Sequence, residues 1–143
     1  MISTTSEHAL RALIELARLP QGEMLLGKDL SERGHIPGQY VSKVLLTLRN
    51  AGFLDSVRGS GGGYRLRKPA KNIYLIDIVE LFDGVRSRPF CFLDKHKDCN
   101  DENPCPAHKK FRKVRTAYIK FLETTSVLEL SKATKGTWWD VPN

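Results

Sequence analysis

The chain has 143 residues, 41% of them apolar, with a formal net charge of +7 and an isoelectric point near 9.5. That is the size of one domain, or of a small domain plus an oligomerisation element, and a basic excess of this kind points to nucleic acid or an anionic surface as partner. No apolar run has bilayer-spanning length and the first residues lack a basic lead-in, so neither a membrane span nor a secretory leader is expected, and the protein is expected in the cytoplasm.

Thr4 followed by Glu7 has the spacing of a capping box and predicts a helix, with Ala9, Leu10, Leu13, Ile14, Leu16 and Ala17 at helical spacing. Leu19-Pro20-Gln21-Gly22 ends it. A short second helix is predicted over 28–33, stopped by a left-handed cap at Gly34. A third is predicted over 37–50, with Pro37 at its first position, Val41, Val44, Leu45 and Leu48 on one face, and Gly52 closing it. Strands are predicted over 53–58 and 64–67, around the turn Gly59-Ser60-Gly61-Gly62-Gly63. A fourth helical pattern covers 73–82 and stops at Asp83-Gly84. From 86 to 106 no period is sustained, and Pro89, Pro104 and Pro106 break any helix; so long an irregular segment is usually functional. From Ala107 a stripe of Phe111, Val114, Tyr118, Ile119 and Leu122 marks a long helix, whose seam would face a second copy or the rest of the same domain. The tail from Ser131 is polar apart from Trp138 and Trp139, for which the sequence offers no role.

Three helices followed by a glycine-tipped hairpin, in that order, predict a mainly α winged helix-turn-helix with a small β-hairpin wing. The third helix would enter the major groove. Gln39, Ser42 and Lys43 in its first turns are candidates for base edges, and Tyr40 and Arg49, with Lys28 and Arg65, for phosphates. Gly59, Ser60 and Gly61 at the tip would bring bare backbone N–H groups to the duplex, with Arg58 beside them following the minor groove. No Gly-Lys-Ser/Thr follows the glycines, so the turn is not a nucleotide phosphate loop.

All three cysteines fall in the irregular segment, as Cys91-x7-Cys99-x5-Cys105-x2-His108. An odd number argues against a disulfide framework and the clustering argues for a shared ligand role. Thiolates are soft ligands that suit zinc or iron–sulfur clusters, and His108 could complete the set. By spacing alone the run fits zinc. RNA-binding CCCH fingers use a similar one with three residues before the histidine, but the aromatic and basic interleaving for base stacking is missing here. A cysteine nucleophile with His108 as base would also need oxyanion donors, and no such arrangement is recognisable, so an enzyme is not expected.

Leu30-Ser31-Glu32-Arg33, Tyr40, Leu48-Arg49-Asn50-Ala51-Gly52 and Val57-Arg58-Gly59-Ser60-Gly61-Gly62-Gly63-Tyr64 together resemble the Rrf2 (Rrf-two) family of bacterial winged-helix transcription regulators, in particular its IscR- and NsrR-like members. Ser6-Glu7-His8-Ala9-Leu10 and Leu128-Glu129-Leu130 are similar too, and the wing is the most specific part. The resemblance implies an iron–sulfur cluster (2Fe–2S or 4Fe–4S) on Cys91, Cys99 and Cys105, with zinc as the alternative. As fourth ligand it implies either His108 or Glu7 from the partner subunit; the simpler role for Glu7 is the capping box. His8 and His96 are further candidates. It also implies a homodimer built on the last long helix, a palindromic double-stranded operator, and a repressor that senses nitric oxide, redox or iron–sulfur status. The third helix departs from IscR-like members at Ser42 and Lys43, so no operator sequence carries over. The expected organisation is a DNA-binding domain over 1–69, a connecting helix over 70–85, a cluster-binding loop over 86–108, a dimerisation helix over 109–130 and a tail over 131–143.

Overall fold

The computed structural model describes residues 2–87, 91–94, 96–97 and 99–133. Trp138 and Trp139 lie outside the described residues. The first helix, α1 (Thr4–Ala17), runs through the middle of the body. It packs against α2 (Gly27–Arg33), α3 (Gly38–Asn50), α4 (Leu75–Asp83) and α6 (Val127–Ala133), and also touches the hairpin. Ala9, Ala12 and Leu13 are wholly shielded, joined from the other elements by Leu30, Leu48, Ile78 and Val127. Being surrounded, α1 also buries polar groups. Glu15 is paired with Arg18 at 3.0 Å, and Arg18 Nε donates to the Ser131 carbonyl of α6 at 3.3 Å.

The capping box expected at Thr4 and Glu7 does not form. The N-cap is Ser3, whose hydroxyl accepts from the Ser6 N–H at 3.1 Å and donates to the Asp83 carboxylate at the end of α4. Glu7 is thereby inside the helix, where it pairs with Arg11 one turn on. Gly34 does follow α2, but in right-handed geometry (φ −86°), and the left-handed residue is His35 (φ 49°). Glycine fits at 34 for space, since a Cβ would stand 3.0 Å from the Leu30 carbonyl oxygen and 3.1 Å from the Ile36 side chain. Pro37 caps α3 from outside it.

The wing pairs β1 (Leu54–Val57) with β2 (Gly63–Leu66) antiparallel, Leu54 opposite Leu66 and Val57 opposite Gly63. Leu25 exchanges both backbone hydrogen bonds with Tyr64, at 3.0 and 2.7 Å, anchoring the hairpin to the segment before α2. Close backbone approach explains two of the glycines. A Cβ on Gly63 would overlap the Leu25 carbonyl, and one on Gly62 the Val57 carbonyl.

The segment expected as one helix over 109–130 is two: α5 (His108–Thr124) and α6. Between them Thr125 is extended (φ −106°, ψ 120°) and its carbonyl accepts from the Leu75 N–H at 3.0 Å, while the Val127 N–H reaches the Ile73 carbonyl at 2.8 Å. Ser126 and Glu129 then form a reciprocal cap. The Glu129 carboxylate accepts from the Ser126 N–H at 2.7 Å, and the Ser126 hydroxyl from the Glu129 N–H at 3.2 Å. Ser126→Ala should lower stability by about 1 kcal/mol, seen as a lower urea midpoint at unchanged slope. The Ser126 backbone N–H holds the Glu129 carboxyl below its usual range. Its contribution is therefore complete above the unfolded carboxylate value and is lost as pH falls through the lowered one.

The stripe on α5 divides. Leu122 is buried and Tyr118 and Ile119 are half-buried against the core, whereas Val114 stays about half exposed, at 55%, as does Phe121, outside the predicted stripe, at 50%. No helix among the described residues is long and apolar enough to cross a membrane.

Candidate metal centre and nucleic-acid interface

Between α4 and α5 the chain makes no helix or strand among the described residues. Its entry is fixed. The Glu80 carboxylate accepts from the backbone N–H groups of Arg86 (2.7 Å) and Ser87 (3.1 Å), and bonds from the Ser87 side chain and these N–H groups hold the Glu80 carboxyl below its usual range. Arg86 also pairs with Glu123 on α5.

The loop brings Cys91, Cys99 and Cys105 together, with the three Sγ atoms within 4.8 Å of one another and no disulfide among them. Cys91 is buried and the other two partly so. His108, the first residue of α5, lies beside the group, its Nδ1 standing 3.1 Å from Cys99 Sγ. The Cys105 N–H donates to the same sulfur at 3.2 Å, and the His108 N–H to the Cys105 carbonyl at 3.0 Å. The backbone N–H of Leu93 pulls the Cys91 thiol below its usual value, while burial pushes Cys105 up. The recess holding the sulfurs is also lined by Phe92, Phe111, Arg112 and Arg115, with the rings of Phe92 and Phe111 5.2 Å apart. Arg115 donates to the Val85 carbonyl at 3.3 Å, leaving its buried Nε without a partner among the described residues. Three convergent sulfurs and one imidazole nitrogen make a donor set that fits zinc or an iron–sulfur centre.

Of the other candidates, Glu7 stands on α1 paired with Arg11 and is not one of the sulfur group within its own chain. His96 is exposed, its backbone N–H on Asp94. His8 is buried beneath Tyr40, ring centroids 5.8 Å apart, and burial lowers its pKa. It thus supports a residue of α3, a role that sequence reading missed because the contact joins two helices.

The eleven residues expected on DNA are all exposed. Gln39, Tyr40, Ser42 and Lys43 occupy the first turns of α3, away from its buried Val41, Val44, Leu45 and Leu48. Arg49 donates to Ser56 on β1 at 3.2 Å, tying α3 to the wing, and Arg65 lies 3.9 Å from Asp55. Arg58, Gly59, Ser60 and Gly61 form the free end of the wing, and Lys28 projects from the start of α2.

A family model described as Rrf2, iron-dependent transcriptional regulator, matches residues 2–133. The chain belongs to the Rrf2 family. An Rrf2-like HTH-type transcriptional regulator of Rhodobacter capsulatus is 29% identical over 140 residues, covering 93% of each chain. An HTH-type transcriptional regulator of Aquifex aeolicus is 31% identical over 132 residues, covering 91% of this chain and 90% of its own. Among solved structures, CymR, the global cysteine regulator of B. subtilis, superposes with a TM-score of 0.77 at 27% identity, over 94% of this chain and 98% of its own. The T. potens IscR superposes with a TM-score of 0.72 at 23% identity, over 98% and 95%, a likeness of fold. The winged-helix architecture expected from the order of elements is therefore that of Rrf2 regulators, and the relatives are transcriptional regulators rather than enzymes.

Proposed function

We propose that this Rrf2 protein is a homodimeric, sequence-specific DNA-binding repressor whose operator affinity is set by an iron–sulfur cluster on Cys91, Cys99, Cys105 and His108. The observation that carries this reading is the convergence of three thiols and an imidazole beside the start of α5, in a chain whose α3 and wing present an exposed polar and basic face. The family model's description as iron-dependent supports iron as the metal. A bound cluster supplies redox chemistry and reactivity toward nitric oxide, which zinc lacks.

The chain's own residues would do the rest. Residues 1–69 read the duplex: Gln39, Ser42 and Lys43 at base edges, and Lys28, Tyr40, Arg49 and Arg65 on phosphates. Gly59, Ser60 and Gly61 bring the wing close, and Arg58 enters the minor groove. Residues 70–85 connect, 86–108 hold the cluster, and α5 pairs with its twin through Val114 and Phe121, whose exposure supports such a seam. Two-fold pairing makes the operator palindromic, with half-sites a helical turn or a multiple of it apart. α1 links the two ends. It is tied to α4 by Ser3 and Asp83 and supports α3 through His8 and Tyr40, so a shift of the loop and α5 can reach the recognition helix. Glu7, on the same helix, would meet the cluster of the partner subunit only by leaving Arg11.

The second reading is one zinc ion and no redox switch. The tight sulfur grouping favours it, because ligands ~2.3 Å from one tetrahedral ion lie about 3.8 Å apart. Oxygen-free purification followed by metal and sulfide counts separates the two. Brown protein with iron and acid-labile sulfide is expected; colourless protein with stoichiometric zinc would establish the rival.

A further inference from the structure

The imidazole of His108 uses its two nitrogens in opposite directions. Nδ1 faces the sulfurs, 3.1 Å from Cys99 Sγ, and Nε2 lies 3.0 Å from Asp101 Oδ1. Asp101 is itself held, because Arg112 donates to both of its carboxylate oxygens, at 2.8 and 3.1 Å. His108 and Arg112 are one turn apart on α5 and so share a face, which lets one carboxylate reach both. The loop backbone next to Asp101 is fixed as well. The Asn100 side-chain oxygen accepts from the N–H groups of Glu102 (3.0 Å) and Asn103 (2.8 Å), an Asx turn that presents Asp101 toward the helix.

A carboxylate accepting from one imidazole nitrogen places the ring proton there and leaves the other nitrogen bare, with its lone pair available to a metal. We infer that Asp101, steadied by Arg112, is a positioning residue that holds His108 with Nδ1 open toward the three cysteines. The inference rests on the reading of His108 as fourth ligand. An ordinary surface ion pair would stabilise the fold little and would have no effect on the ring. Asp101 itself is 75% exposed, but the histidine side chain is only 15% exposed and lies between the carboxylate and a sulfur, so the Asp101 contact bears on which nitrogen is bare.

The test uses the full chain without metal, labelled with nitrogen-15, in mildly alkaline buffer where imidazoles are neutral. Long-range proton–nitrogen correlation should find His108 as the Nε2–H tautomer. In Asp101→Ala the two tautomers should mix, and Asp101→Asn, which keeps an acceptor oxygen, should restore the Nε2–H form. Zinc affinity, read by competition with a chromophoric chelator, should fall about 10- to 100-fold in Asp101→Ala and recover in Asp101→Asn. An Nδ1–H tautomer in the parent chain, or a tautomer ratio unchanged in Asp101→Ala, overturns the inference. Zinc binding unchanged in His108→Ala overturns instead the ligand reading on which it rests, and the two failures are thereby told apart.

Discussion

Cys99→Ala is expected to abolish retention of the metal while leaving the winged-helix body folded. The sulfur of Cys99 is the hub of the loop: it faces His108 Nδ1 and accepts the Cys105 N–H. Removing it takes away one of three soft ligands, and the remaining two sulfurs and one nitrogen do not fill a four-coordinate site. The body does not depend on it, because the contiguous core runs from Ala9 to Val127 through α1, α3, α4 and α6 without including any of the three cysteines. Iron or zinc content should therefore fall to background. Far-ultraviolet circular dichroism and the urea midpoint should stay close to those of the metal-free parent. Global unfolding of the variant would make the metal a structural element of the domain and remove the basis for a switch.

Arg58→Ala should weaken binding to a selected operator by about 10- to 100-fold, or about 1–3 kcal/mol, at physiological salt. The side chain leaves the wing directly before Gly59, whose φ of 96° turns the chain at the tip, and it is exposed with no ion pair among the described residues. No acidic group among the described residues pairs with it, so the charge is available to the duplex. The neighbouring basic residues differ: Arg65 and Arg67 flank Asp55 at 3.9 Å, and part of their field is spent within the wing. Titration of a labelled duplex at several salt concentrations would read both affinity and salt slope, and an unchanged affinity would remove the wing tip from the interface. Lys28→Ala, a phosphate contact in this account, should instead weaken binding alike across sequences and reduce the salt slope by about one.

Where local rules acted alone, the sequence was a good guide. The apolar spacing of Val41, Val44, Leu45 and Leu48 marks the buried face of α3, and alternation with glycines marks the hairpin. The glycines at 62 and 63 were legible as a turn, but the contact with Leu25 that demands glycine at 63 joins distant segments, while glycine at 62 answers to the Val57 carbonyl across the turn. Thr4 and Glu7 show a competing rule: Ser3 is an equally good cap, and its bond to Asp83, 80 residues away, moves the start of the helix. The break at Thr125 could have been read from Ser126 and Glu129, which have capping-box spacing. The continuous apolar period on either side concealed it. The cysteines were singled out by their spacing, and the structure brings them together with His108. The pairing of Glu7 with Arg11 has the i,i+4 spacing of a helical ion pair and could have been read from residue order, whereas the position of Asp101 between His108 and Arg112 was not legible, because it depends on how the loop returns to α5.

The proposed control requires that cluster and operator favour the same or opposite arrangements of one dimer, and such coupling is reciprocal. The most direct measurement is operator affinity of one preparation, first with its cluster intact under anaerobic conditions and then after the cluster has been removed, at the same ionic strength. The account predicts a difference of at least about tenfold, or ~1.4 kcal/mol, with a matching shift in cluster retention when the operator is bound. Equal affinities for the loaded and stripped protein, each folded and dimeric, would contradict it.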